Sequence, residues 1–179
     1  MKTTISGALG AMLALYGLTG CAQPSTKSPD VTAAIRSSLD QAGLKDVTVS
    51  DDRDKGVVTL GGNVMTDGAK SQAAAVAGSL AGGQVIANQV AVLPPGDEKI
   101  AKTVGADLDT GIEKNLHAAL VASRIEHVDY DVKNRVVTLK GEVNSQGMRS
   151  EAGKIAANVP YVSQVVNEVQ VKDQKATSN

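Results

Sequence analysis

The sequence predicts an α+β protein of two tandem domains. Each domain should run helix, strand, strand, helix, strand, with a three-stranded mixed sheet covered by two helices. Two observations carry this. The words "GVVTLGGNV" (56–64) and "RVVTLKGEV" (135–143) repeat at an offset of 79 residues. The offset persists: Gly68 meets Gly147, Ser71 meets Ser150, Ala73 meets Ala152, Ala77 meets Ala156, and "NQVAV" (88–92) meets "NEVQV" (167–171). A constant offset through two strands and the segment between them marks a duplicated domain. Second, the apolar pattern alternates between helical and strand periods in the same order in both copies.

The elements follow in order. Met1-Lys2 and the uncharged run from Ile5 to Leu18 have the layout of a secretory signal, expected over residues 1–20. The run is shorter than the about 20 apolar residues that span a membrane. Leu18-Thr19-Gly20-Cys21 then resembles the bacterial lipobox, and Cys21 is the one cysteine of the chain. That resemblance implies a diacylglycerol on the Cys21 thiol and an N-acyl chain, palmitate for example, on its amine. No other cofactor is expected. The alternative is an ordinary cleaved signal with an incidental cysteine. Several acyl chains anchor firmly where one is marginal. Ala22, not Asp, follows the cysteine. In the lipoprotein sorting pattern this favours the outer membrane of a Gram-negative cell, facing the periplasm. Residues 21–29 read as the lipidated cysteine and a flexible tether.

The first domain is expected over 30–93. Ser28-Pro29-Asp30 reads as a helix start with Ser28 as N-cap. Val31, Ile35, Leu39 and Ala42 follow at helical spacing until Gly43. Strands at 46–52 and 56–64 flank a "DRDKG" turn. An Ala-rich helix (67–81) carries Ala69, Ala73, Val76 and Leu80 on one face, and Gly82-Gly83 stops it. One strand is expected over 85–93. Residues 94–109 read as a linker broken by Pro94-Pro95-Gly96, in which Ile100, Val104 and Leu108 suggest a short helix leading into the next unit.

The second domain is expected over 110–172. Thr110 and Glu113 read as a capping box. Ile112, Leu116, Ala119 and Leu120 form the stripe. Strands at 126–132 and 135–143 flank a tight Lys133-Asn134 turn. A helix with Met148, Ala152, Ile155 and Val159 inward ends before Pro160, and a last strand covers 162–171. Residues 173–179 are a polar tail. Domains this small are marginal alone, so the two should pack on each other or lean on a partner. No residue pattern specifies an oligomeric state.

Composition narrows function. Lys and Arg number 18 against 19 Asp and Glu, which argues against a nucleic-acid binder. There is no Trp or Phe and only three Tyr, so no stacking platform for bases or sugars is visible. His117 and His127, on a helix and a strand, lack the companions of a zinc site, and no metal is expected. "DDRDKG" (51–56) is too short and wrongly spaced for a calcium loop, and reads as a solvated hairpin tip. Gly61-Gly62 and Gly82-Gly83 lack a phosphate-cradling context, and no nucleophile elbow occurs. No catalytic residue and no enzyme activity is expected.

The order αββαβ, with V-x-L-x-G-x-V before an Ala-rich helix and a final N-x-V-x-V strand, resembles the BON domain. The matching residues are Val58 to Val64 and Val137 to Val143, with the motif glycine at Gly62 and Gly141. A glycine there allows a close backbone approach or a bulge. Two copies behind a lipobox resemble dual-BON-domain lipoproteins of the Gram-negative envelope. The resemblance implies a non-enzymatic protein that binds phospholipid membranes, chiefly anionic ones, and supports envelope integrity under stress. It further implies that the first helix of the second domain makes the lipid contact. On that helix Val121 falls nearly opposite the core stripe, among Lys114, His117 and Arg124. An exposed aliphatic residue ringed by cations can insert shallowly while the cations meet phosphates. The bland alternative is a solvated face with one stray Val. The competing function is a periplasmic adapter that recruits an envelope protein partner, with lipid serving only as tether.

Overall fold

The computed structural model describes residues 27–172. The signal segment, Cys21 and the tail at 173–179 lie outside the described residues. The first copy contains α1 (Thr32–Gln41), β1 (Val47–Asp52), β2 (Val57–Val64), α2 (Asp67–Leu80), β3 (Val85–Asn88) and β4 (Ala91–Val92). The second contains α3 (Glu98–Ala122), β5 (Val128–Lys133), β6 (Val136–Val143), α4 (Gln146–Ala157), β7 (Gln164–Asn167) and β8 (Gln170–Val171). In each copy the middle strand pairs antiparallel with the strand before it and parallel with those after α2 or α4.

Each expected last strand is interrupted, and an asparagine explains the break. The Asn88 side chain donates to the Lys70 carbonyl at 3.0 Å and accepts from the Val90 N–H at 3.5 Å. Asn167 does the same with Arg149, at 2.8 Å, and Val169, at 3.2 Å. A side chain that binds its own backbone two residues on competes with the ladder. It also ties strand to helix and turns Val90 and Val169 into the cores, where both are buried.

The offset of 79 holds only from Gly56 onward. Val47 pairs with Gly62, whereas Val128 pairs with Gly141, so the preceding elements superpose at 81. The first hairpin turn is two residues longer. The short turn in the second copy is Asn134-Arg135, not Lys133-Asn134. Both residues have positive φ, +49° and +68°, as a two-residue primed turn demands. The 81 offset aligns Val31, Ile35 and Leu39 with Ile112, Leu116 and Leu120, and all six are buried.

Helix starts depart from expectation at two places. Ser28 is not the cap of α1; its N–H donates to the Arg53 carbonyl, and Asp30 accepts from the Thr32 N–H at 3.0 Å. Thr110 is not a cap at all. It sits inside α3, and its hydroxyl donates to the Ala106 carbonyl at 3.0 Å. The Pro94-Pro95-Gly96 break ends before α3 begins, and nothing from Glu98 onward stops propagation. The expected linker is therefore helical from residue 98. The expected tether is likewise engaged at its end. Lys27 pairs with Asp54 at 3.0 Å, and the Ser28 and Pro29 carbonyls accept from Arg53 and Gln84. α2 and α4 are capped by Thr66 and Ser145, which accept from Ala69 and Met148.

Helices cover one face of each sheet and enclose a core of Val, Leu, Ile and Ala. The other faces meet each other. Val57 and Ala87 pack against Val136 and Val166, all at most 4% exposed. Across the same junction the Gln164 side chain donates to the Ile86 carbonyl and accepts from the Asn88 N–H. At one end Lys55 pairs with Glu168 at 2.6 Å; at the other the Asn134 side chain donates to the Gln89 carbonyl at 2.7 Å. These two contacts are equivalent under the 79 offset. The "DDRDKG" tip is therefore not simply solvated, because Lys55 reaches into the second domain.

Candidate functional site

The site builds on α3, a helix of 25 residues and about 37 Å in length. Ile112, Leu116 and Leu120 fix its inward side. At 100° per residue, the opposite side presents Ile100, Val104, Asp107, Lys114, Ala118 and Val121, all exposed. Val121 is 62% exposed, Ile100 65% and Val104 52%. Lys114, His117 and Arg124 are exposed around Val121, as the spacing predicts. His117 leans on Tyr130, with ring centroids 6.5 Å apart and planes at 51°. That contact lies along the edge of the face. Glu113 and Glu126 are also exposed and dilute the positive field.

Arg124 lies just past the helix, in left-handed backbone with φ +54°. Its N–H donates to the Val121 carbonyl, and the Ile125 N–H donates to the Leu120 carbonyl. This pair closes the helix end as a Schellman motif. In the first copy the same position is Gly43, φ +78°, followed by Leu44. Arg124 thus holds a place where glycine is the unstrained choice.

Ile100 and Val104 were expected only as part of a linker helix. Their membership of the same face as Val121 follows from the continuity of α3. The spacing from 100 to 121 could have signalled it, but the Thr110 capping reading split the pattern.

The motif glycines support the hairpin behind this helix. Gly62 and Gly141 adopt φ of +84° and +103°. A Cβ at either would overlap a carbonyl oxygen, that of Asp46 or of His127. His127 is not in a strand; it precedes β5 with φ +64°. Among the described residues no group of His, Cys, Asp or Glu could hold a metal ion. No described helix is long and apolar enough to cross a membrane.

A family model described as the BON domain matches residues 28–94 and 108–173. No curated protein matches the chain. Two solved structures of CdsD, a structural protein of the type III secretion system of Chlamydia trachomatis, are similar over 79% of this chain. One, its C-terminal domain, shows 15% identity, a TM-score of 0.34 and coverage of 67% of its own length. The other shows 16% identity, a TM-score of 0.33 and coverage of 61%. Likeness at that level carries no conclusion about function.

Proposed function

This chain belongs to the BON-domain family, and from that premise we propose that it is a lipid-anchored, non-enzymatic protein of the outer membrane. In this reading it faces the periplasm, is held through Cys21, engages anionic phospholipid and supports envelope integrity under stress. The observation that carries the proposal is the outward face of α3. Three aliphatic side chains, each more than half exposed, share one side of one helix with Lys114, and His117 and Arg124 flank it. A face of this kind can settle into the headgroup boundary while its cations meet phosphates. Asp107 and the neighbouring glutamates keep its intrinsic affinity low. Tethering offsets that weakness by raising the local concentration of membrane.

Vesicle co-sedimentation tests it. The form to use begins at Ala22, which keeps every described residue and both cores without the lipid. It should bind anionic vesicles at low salt and bind neutral phosphatidylcholine vesicles weakly. Burying Val121 is worth about 1.5 kcal/mol, so Val121→Asp should weaken binding by about tenfold or more. A folded Val121→Asp protein that binds like the parent would refute this face as the contact. A folded parent that ignores anionic vesicles would refute phospholipid binding itself. Recovery of a stoichiometric envelope partner would then favour the adapter reading.

A further inference from the structure

We propose that the groove between the two domains binds a phosphate group, bridged by Lys70 of the first domain and Arg135 of the second. Two adjoining hollows of about 290 and 350 Å³ lie there, and both residues line each of them. These volumes fall at the small end of the range for ligand pockets, about 300–1,000 Å³. Ser71, Asn88, Ser163 and Gln164 add hydroxyl and amide groups to the second hollow, and the Asp67 carboxylate lines it too. Its floor is pre-set. Gln164 is fixed to Ile86 and Asn88, and Asn88 is fixed to the Lys70 carbonyl.

The charge pattern asks for an anion. Lys102 and Lys133 line the first hollow beside Lys70 and Arg135, against Asp67 and Asp109. Asp109 is already committed. Its two oxygens accept from the Asn134 and Arg135 N–H groups, each at 2.8 Å. Among the described residues, no carboxylate lies within ion-pair reach of Lys70 or Arg135. Arg135 spends its Nε–H on the Tyr161 carbonyl at 2.9 Å. Its remaining N–H donors and the Lys70 ammonium match phosphate oxygens. Lys70 is half-buried, and burial first, then the Arg135 charge, hold its ammonium below the usual lysine range, while Asp67 and Asp109 oppose them. A bound anion would relieve both effects. The groove is separate from the α3 face, so either site can fail without the other.

The test titrates the Ala22–Asn179 form with inorganic phosphate, against chloride at matched ionic strength, and follows backbone amide resonances. Saturable shifts are expected at Lys70, Ser71, Asn88, Arg135 and Ser163. Lys70→Gln and Arg135→Gln should each weaken binding by about tenfold or more, the loss of one charged hydrogen bond. Lys154→Gln, on the exposed side of α4, should leave the titration unchanged. Thermal melts confirm that each variant folds. Glycerol 3-phosphate and anionic vesicles then separate the sources. If Lys70→Gln weakens vesicle binding too, the phosphate is that of a lipid headgroup; if only the soluble titrations weaken, it is a free phosphate or phosphomonoester. Unsaturable shifts, shifts matched by chloride, or parental affinity in both groove variants would overturn the proposal.

Discussion

Arg124→Gly separates stability from function at one residue. Arg124 occupies left-handed backbone at φ +54°, where its Cβ crowds the following carbonyl. That conformation costs an L-residue about 1–2 kcal/mol. Glycine removes the strain but adds freedom to the unfolded chain, which returns about 0.5–1 kcal/mol. The net gain should be about 0.5–1 kcal/mol, or roughly 2–4 °C at the upper end for a chain of this size. The Schellman bonds and the buried Ile125 are untouched, because glycine satisfies the same geometry in the first copy at Gly43. The charge, however, is lost. One cation near an anionic surface is worth about 1 kcal/mol, so vesicle affinity should fall about fivefold. Melting curves and co-sedimentation on the same preparation read the two effects. Arg124→Lys should keep both the strain and the binding. Arg124→Ala should keep the strain and show the same fall of about fivefold in binding. A fall in melting temperature for Arg124→Gly would refute the strain argument. Parental vesicle affinity for Arg124→Gly would refute its place in the contact.

Gly62→Ala and Gly141→Ala should each cost at least about 2 kcal/mol by chemical denaturation, since the new Cβ meets a backbone carbonyl that has no room to move. Lys55 has its pKa raised, first by its hydrogen bond to Glu168, with burial opposing. A raised lysine contributes stability that is fully present below its unfolded pKa of about 10.4 and is lost as pH rises through the folded value. The parent should therefore lose more stability above about pH 10.4 than Lys55→Gln does, and equal pH profiles would remove this pair from the domain junction. Exchanging the α3 face for its first-copy counterparts (Lys114→Ala, His117→Arg, Val121→Asp, Arg124→Gly) should leave folding intact and abolish most vesicle binding, as measured by melts and co-sedimentation.

Local regularity was legible in the sequence. Ile35 and Leu39 were placed by a 3.6-residue period, and Gly62 and Gly141 by their position near the end of a strand of alternating apolar residues. What escaped was decided elsewhere in the chain. Thr110 looks like a cap until Asp97 and the preceding Pro-Pro-Gly turn show where α3 starts. Asn88 looks like one more strand residue, because its partner Lys70 is 18 positions away. Lys55 looked solvated because Glu168 is separated from it by 113 residues. The α3 face was half visible for the same reason. Val121 stood out by periodicity, whereas Ile100 and Val104 joined it only once the helix proved unbroken. The Lys70–Arg135 groove had no signal in the sequence, since it exists only where the two copies meet.

The duplication supplies its own control. Both copies use one topology, one motif glycine clash, one Asn tether and equivalent buried positions, so those features belong to the fold. What differs between copies is not dictated by the shared topology, and two of the differences stand out. At the helix end, the first copy has Asp40 and the unstrained Gly43, whereas the second has exposed Val121 and the strained Arg124. At the junction, Lys55 with Glu168 faces Asn134 with the Gln89 carbonyl, and the half-buried Lys70 in the groove is matched by Arg149, which bonds the Asn167 carbonyl instead. A side chain kept at a stability cost in one copy, where the other shows a cheaper solution, requires a reason outside folding. Arg124, just past the end of α3, meets that condition; Lys70 is the half-buried cation between the domains. Both are cations without an acidic partner among the described residues. The reason proposed for both is an anionic ligand, a membrane surface for the first and a phosphate group for the second.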